Sequence, residues 1–393
     1  MNGITLNKTE LAAWRSLIAR PDTSMQLLTA ALYLVSALML PFAAHGVPAL
    51  IFIGSCAVLY YMQTRTLRAL LLPGVPIALL FLLSGSLLLP AAFCAVVFGG
   101  VAGGLLIATA KEKAHLPLLL VLPPAAFLIA WALGATPALA ALTLLPLPVA
   151  LAAGLAVRLC KPFTPSVAAI AIALGAALLL AGTVALKALG LLDPALLPDL
   201  IGTCADTMLE LLAEQNKLYA EAGLSAALPL PDRREIVNMF TDLAYMAPAI
   251  FGIACLVVAY FVWRTLCIML TAFGALPRVP RVFSTPTMSV GAALLFLLSY
   301  LVTLIANASE ITLTGIAAQN VGMLLEPGLA LIGVGVLLHH EGGRSCLSTL
   351  LTISIVYLFF TAPSTALSLT ALVGAAVVLI AAYQGAKKNK GEP

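Results

Sequence analysis

The chain is a succession of apolar runs, each ended by a few charged residues or by a Pro/Gly turn. A helix needs about 20 mostly apolar residues to cross the roughly 30 Å of hydrocarbon in a bilayer. The runs lack the period-two alternation of a barrel strand, so they are predicted to be helices. The predicted spans, twelve in all, lie at approximately 25–44, 47–62, 69–89, 91–110, 116–133, 138–157, 167–187, 243–263, 287–306, 321–338, 346–362 and 364–383.

The basic residues between the spans predict the orientation of the chain. If the N-terminus is cytoplasmic, all Lys and Arg residues except Lys187, Lys217, Arg233 and Arg234 fall on cytoplasmic connections. These four lie on the one long external connection, and long connections escape the positive-inside rule. A miscounted span would destroy the alternation, so the pattern supports the span count and predicts that both chain ends are cytoplasmic.

The predicted fold is all-α, a polytopic transmembrane helical bundle of about twelve spans in two halves. A cytoplasmic amphipathic tail (residues 1–24) precedes a seven-span block (25–187). An acidic extracytoplasmic helical segment (188–242) separates it from a five-span block (243–383), and a basic cytoplasmic tail (384–393) ends the chain.

The segment 188–242 carries more than half of the 16 Asp and Glu residues. Residues 199–222 have the periodicity of an amphipathic helix, with leucines mostly on one face and acids on the other. A second helix is predicted to begin near Asp232 and to run into the eighth span. The segment is interpreted as a lid on the outer membrane surface, or alternatively as a gate over an outward-facing cavity.

Composition excludes several classes of function. Hydrophobic residues make up 62% and charged residues 9% of the chain, whereas soluble domains are about 25% charged. The basic residues are scattered, which argues against a nucleic-acid partner. None of the seven cysteines forms a C-x-x-C pair, and His339, His340 and Glu341 point different ways on a helix, so neither metal nor cofactor is predicted. No P-loop, H-E-x-x-H or G-x-S-x-G motif indicates an enzyme.

Four glycines in the fourth span form two overlapping G-x-x-x-G pairs: Gly99, Gly100, Gly103 and Gly104. Small residues at this spacing let helix backbones approach closely. We predict packing within this chain, with contact to another subunit as the alternative.

The candidate site centres on Glu326, a carboxylate in an apolar run that Pro327 and Gly328 follow. Ionisable groups inside a membrane usually face a cavity or a partner, and Pro-Gly indicates a kinked or broken helix of the kind found at transporter sites. The alternative is a surface or re-entrant segment at 307–320, which would leave Glu326 only one or two turns deep. The predicted substrate-binding or proton-coupling residues are Glu326, Asn320, Gln319, Glu310 and Asn307.

Several features of the second half resemble one family. They are residues 232–235 leading into 245–249, the span end Trp263–Arg264, the proline-spaced loop 276–280, Pro286, and the series Asn320, Glu326, Pro327, Gly328 and Gly333. Together they resemble the YybS-like family of bacterial integral membrane proteins, a domain of unknown function. The resemblance implies a bacterial cytoplasmic membrane and a distant kinship to substrate-binding subunits of energy-coupling-factor transporters. It carries no functional residues.

The leading functional hypothesis is a transporter-like protein that binds a small solute in the lipid bilayer. It would work with a separate energising partner, such as an ATPase or another membrane protein. The alternative is a non-transport scaffold or regulator of the cell envelope that uses the acidic external segment. The solute is not predicted.

Overall fold

The structure is a computed structural model, and its regular secondary structure is helical, with no strand among the described residues. The described residues are 8–18, 22–44, 46–65, 67–110, 116–188, 190, 193, 196–221, 231–272, 274–276, 279–280, 283, 286–306, 313–338, 354, 357–358 and 361–389.

The principal helices are, in chain order, α1 Lys8–Leu17, α2 Thr23–Phe42, α3 Gly46–Thr64, α4 Leu67–Ser84, α5 Leu88–Thr109, α6 Leu116–Ala132, α7 Pro137–Ala141, α8 Pro146–Arg158, α9 Phe163–Ala188, α10 Leu197–Glu221, α11 Arg233–Ala272, α12 Val290–Ala306, α13 Leu313–Leu338 and α14 Pro363–Asn389. A 3₁₀ turn, Leu142–Leu144, joins α7 to α8.

Seven of these elements are long and apolar enough to cross a membrane: α2, α5, α7 with α8, α9, α11, α13 and α14. Helices α3, α4, α6 and α12 are apolar but shorter. Large apolar side chains such as Leu82, Leu83 and Ile172 are exposed on the surface of the helices, which is characteristic of a membrane-embedded protein. The predicted eleventh span, 346–362, lies largely outside the described residues, so the count of twelve stays a prediction.

The relative directions of packed helices agree with the predicted alternation. Hydrogen bonds and close contacts pair Asn320 with Tyr245, and Leu324 with Gly252, so α13 runs parallel to α11. On the other side of α13, Glu326 meets Ser368, and Gly333 lies against Gly374, so α14 is also parallel to α13. Spans eight, ten and twelve have this common direction in the twelve-span prediction.

Helix α5 is the centre of the N-terminal body and is buried along almost its whole length. Its four glycines face neighbouring helices of the same chain. A Cβ on Gly99 would lie 2.8 Å from Pro146 Cβ, and a Cβ on Gly100 would lie 2.5 Å from Val149 Cγ1. Gly103 is in close contact with Ala150 and with the ring of Tyr33 on α2, and Gly104 with Ala153. The absence of side chains on this face therefore sets the distances of α2 and α8 from α5.

Helices α12, α13 and α14 form a second body with its own small core, which includes Ala293, Phe296, Leu329 and Ala371. Helix α11 packs on both bodies. Its 40 residues give a length of about 60 Å at 1.5 Å per residue, about twice the hydrocarbon thickness. It begins at Arg233, close to the predicted start at Asp232, and it extends beyond the hydrocarbon.

Helix α10 occupies most of the predicted amphipathic region and packs against the first turns of α11. Arg233 donates hydrogen bonds from Nε to Asp206 Oδ1 at 2.6 Å and from Nη2 to Asp206 Oδ2 at 3.1 Å. These hydrogen bonds lower the pKa of the Asp206 carboxyl. The buried side chains of Ala205 and Ile236 add an apolar contribution to the packing. On which side of the membrane α10 lies stays a prediction.

The N-terminal helix is attached to the rest of the protein by an aromatic cluster. Trp14 Nε1 donates to the carbonyl oxygen of Val157 at 2.9 Å. Its ring meets Phe283 edge-on at a centroid distance of 5.3 Å, and Trp263 meets the same phenylalanine at 5.4 Å. The predicted tail therefore contacts the end of α8 and Phe283 through Trp14, and Phe283 in turn contacts Trp263 of α11.

Of the kinked or broken helix predicted at Pro327, the broken form is not found, and the kink stays a prediction. Helix α13 continues without interruption through Pro327 and Gly328 to Leu338. Proline removes one backbone donor, but packing against neighbouring helices can hold a helix continuous. Here α14 supplies that packing, since Gly333 and Gly374 bring the two backbones into direct contact.

Replacing Gly333 with alanine should lower the free energy of unfolding by about 1–3 kcal/mol, because the new Cβ would collide with the Thr370 carbonyl oxygen. Gly335→Ala is the matched control, since a Cβ there meets nothing within 4 Å. Thermal unfolding in mild detergent measures both. Equal stability of the two variants would contradict the close crossing of α13 and α14.

The Asp206–Arg233 pair should make the docking of α10 depend on pH. Because folding lowers the pKa of Asp206, the pair stabilises docking above the unfolded value of about 3.9 and loses this effect as the pH falls through the folded value. Spin labels at Lys217→Cys and Arg234→Cys report the distance between the helices. The distribution should broaden modestly in acid. Asp206→Asn should give the broader distance distribution already at pH 7. If the distances in Asp206→Asn respond to pH as strongly as those in the wild type, the Asp206–Arg233 pair is not the cause of the pH dependence.

Candidate functional site

The described part of the predicted site lies on α13. Glu326, Asn320 and Gln319 are all half-buried residues of this helix. Asn307 and Glu310 lie outside the described residues. The site is therefore described through the three residues on α13 and their neighbours on α11 and α14.

Glu326 is midway along α13, about 20 Å from Leu313 at 1.5 Å per residue. Its Oε1 accepts a hydrogen bond of 2.5 Å from the Ser368 hydroxyl of α14. Among the described residues no Lys, Arg or His forms an ion pair with it, since the ion pair found there joins Arg233 to Asp206. The carboxyl group thus has one neutral hydrogen-bond donor and no described counter-ion.

This arrangement leaves part of the hydrogen-bonding capacity of Glu326 unused. An ionised carboxylate in apolar surroundings is costly unless it is paired and hydrogen-bonded, and intramembrane acids usually pair with another group or face a water-filled cavity. One serine hydroxyl satisfies one lone pair of a group with about four acceptor sites. The carboxyl therefore retains the capacity to bind a proton, a cation or a donor group of a ligand.

Asn320 bridges α13 and α11 at the proline of α11. The backbone N–H of Ala249 donates to Asn320 Oδ1 at 3.0 Å, and Asn320 Nδ2 donates to the carbonyl oxygen of Tyr245 at 2.9 Å. In a regular helix the Ala249 N–H and the Tyr245 carbonyl are each other's partners. Pro248, which lies between them, disturbs the ladder at this turn. The side-chain amide of Asn320 serves both backbone groups.

Asn320 has little remaining capacity for a ligand. Its Nδ2 also donates to the carbonyl oxygen of Ile316 at 2.9 Å, so both amide donors are occupied. Gln319 makes a weaker contact, since its Nε2 lies 4.0 Å from Met246 Sδ. Both residues hold α13 against α11.

The structure does not gather the predicted residues into one cluster. Six residues of helix separate Asn320 from Glu326, which is about 9 Å along the axis and about 240° around it. Asn320 faces α11, whereas Glu326 faces α14. Glu326 is therefore the centre of the candidate site, and Asn320 and Gln319 are helix-packing residues.

Sequence reasoning missed the partners of these residues. Ser368 lies in the last span, where a polar residue within an apolar run was a usable signal. Pro248 was a second signal, because a proline inside a membrane helix requires a compensating donor or acceptor nearby. Asn320 supplies this donor and acceptor because α13 packs on α11. This packing is not visible in the local sequence.

A second polar cluster lies within the N-terminal body. Ser36 Oγ on α2 is 3.5 Å from Cys56 Sγ on α3. One turn away on each helix, Tyr33 and Tyr60 are completely buried, and their hydroxyls have no hydrogen-bond partner among the residues that the structure describes. This cluster and Glu326 lie in different helical bodies.

The described ranges contain no group of three His, Cys, Asp or Glu side chains that could hold a metal ion. His339, His340 and Glu341 lie outside the described residues. Comparison of the chain with protein-family models, curated proteins and solved structures gives no match. The resemblance to the YybS-like family and the kinship that it implies therefore stay predictions.

Replacing Asn320 with leucine should destabilise the protein by about 1–3 kcal/mol, because Tyr245 and Ala249 would lose their side-chain partner beside a proline. Gln319→Leu on the adjacent position should have a much smaller effect, since its only described contact is at 4.0 Å. Unfolding in a detergent titration compares the two. A loss in Gln319→Leu that equals the loss in Asn320→Leu would contradict the bridging role.

Proposed function

We propose that this protein is a transporter-like membrane protein that binds a small solute, with Glu326 as the residue that couples binding to protonation. One observation carries the proposal: Glu326 is a half-buried carboxyl midway along an apolar helix, and Ser368 is its described hydrogen-bond partner. Structural ion pairs do not account for this acid in the described part of the chain. A carboxyl in such a position is by default a functional group.

The arrangement of the helices supports a movement of one helical body relative to the other. The two helical bodies have separate cores, and α11 packs on both. Helix α13 is attached to α11 by the polar contacts of Asn320 at Pro248. In transporters, Gly- or Pro-interrupted helices are found at the binding site, around which one bundle rocks against the other. We propose that α12–α14 change position relative to the N-terminal body about this point.

A separate energising partner, such as an ATPase or a coupling membrane protein, belongs to the same proposal. The scaffold function is the second candidate, and the exposed acidic side chains of α10, among them Asp199 and Glu210, favour it.

A mild-detergent pull-down of the tagged protein from its native membrane distinguishes assisted transport from the scaffold function. Recovery of an ATPase supports assisted transport. Loss of recovered envelope proteins on deletion of 199–231 supports the scaffold.

Glu326→Gln should abolish coupling to protons while it preserves an acceptor for Ser368, because glutamine is nearly isosteric with protonated glutamate. A hydrophobic carbodiimide, which modifies protonated carboxyls, should label Glu326 in wild-type proteoliposomes, as peptide mass spectrometry detects. A panel of amino acids, vitamins, sugars and nucleobases is screened by thermal shift, and a stabilising compound should protect Glu326 from the label.

The controls distinguish charge from hydrogen bonding. Ser368→Ala should shift the pH dependence of labelling without abolishing the labelling, because only one donor is lost. Glu326→Gln should reduce the uptake of any compound that the screen identifies. Unchanged uptake in Glu326→Gln would remove this residue from the mechanism, and absence of labelling at every pH would show that the carboxyl is not protonated in the membrane.

A further inference from the structure

Helix α10 has an exposed apolar face that no other described element covers. Leu200, Leu211 and Leu218 are exposed to 56%, 61% and 59%, respectively. They are separated by 11 and 7 residues, which at 100° per residue places all three within about 20° of one direction. We call these three side chains the leucine stripe. Packing on α11 alone does not explain the leucine stripe, because these side chains are exposed.

The other faces of α10 have different surroundings. Ala205, which is fully buried, lies about 140° from the stripe and faces the protein. The exposed acids Asp199 and Glu210 lie on a third face, about 80–100° from the stripe on its other side. Asp206, at about 120°, lies between this face and α11, where it pairs with Arg233. Glu214 borders the stripe at about 40°. The helix thus has one face for α11, one for water and one apolar face that is unpartnered.

The connections of α10 restrict what can cover the stripe. The preceding helix α9 ends at Ala188, and α10 begins at Leu197. The chain between them reaches at most about 30 Å when fully extended. Both α9 and α11 are long and apolar enough to cross a membrane. The start of α10 is therefore within about 30 Å of the end of α9.

The helix that precedes α10 also exposes apolar side chains near its end. Near its end α9 exposes Leu180 to 68% and Val184 to 61%. Leu196, which is 38% exposed, directly precedes α10 and extends the stripe toward α9. Exposed apolar side chains thus lie on the last turns of α9, directly before α10 and on α10 itself.

We infer that α10 lies in the membrane interface, with the leucine stripe inserted among the lipid acyl chains and the acidic face in water. Amphipathic helices bind in this way, with the apolar face a few ångströms below the headgroups. The acids of α10 are repelled by anionic headgroups, so the apolar contact has to carry the binding, and a zwitterionic bilayer is the appropriate surface. The inference does not depend on a solute or on Glu326.

Adjacent positions on α10 provide a matched test. Single cysteines are introduced as Leu211→Cys, on the stripe, and Glu210→Cys, on the acidic face, in the full chain with Cys160, Cys204 and Cys346 replaced by serine. Each is labelled with bimane in phosphatidylcholine nanodiscs that hold one copy of the protein. Nitroxide-bearing lipids and aqueous iodide serve as quenchers.

Lipid nitroxides should quench the label at position 211 several-fold more than the label at 210, and iodide should show the reverse order. When Leu200→Gln and Leu218→Gln are added, quenching of the label at 211 by lipid nitroxides should fall and quenching by aqueous iodide should rise. Strong iodide quenching at both positions would overturn the inference. So would a label at 211 that is exposed in single-copy discs and protected only at high protein density, since this would show that a second copy covers the stripe.

Discussion

Inside a bilayer every backbone N–H and C=O group has to find a partner within the protein, because hydrocarbon offers none. Helices satisfy this constraint for most of the described residues. Buried hydroxyls, such as those of Ser36 and Thr370, donate hydrogen bonds to backbone carbonyls of the preceding turn. Pro248 is the point at which α11 cannot satisfy it alone. Asn320 supplies both a donor and an acceptor there, and the attachment of α13 to α11 follows from that requirement.

The second constraint is that apolar side chains gain little by leaving lipid for a helix interface. Helix association in membranes depends on close packing and interhelical hydrogen bonds. The glycine face of α5 allows α2 and α8 to approach closely, and the pair Gly333 and Gly374 does the same for α13 and α14. In each helical body, glycines without side chains therefore allow the closest approach of neighbouring helices.

Glu326 differs from the other polar groups of the membrane helices. The amide of Asn320 and the hydroxyls of Ser36 and Thr370 are neutral groups with described partners. Glu326 can carry a full charge, and Ser368 offers it one hydrogen bond. A full charge is costly in a medium of low dielectric unless it is paired and hydrogen-bonded. This difference from the neutral polar groups is the physical reason for placing Glu326 at the centre of the candidate site.

The sequence by itself determined the helical, membrane-embedded class of this protein, the approximate positions of its helices and the packing role of the α5 glycines, and it singled out Glu326 as an acid within an apolar run. These properties depend on hydrophobic run length and on the rarity of charge in such runs, which are local and can be read from residues in order. It did not determine that α13 continues through Pro327, that Asn320 serves the backbone around Pro248, or that Ser368 is the partner of Glu326. Those facts depend on which helices become neighbours and on their rotation about their own axes. Only the tertiary structure decides them, because a pair of residues 42 or 71 positions apart has no local sequence pattern that records its contact.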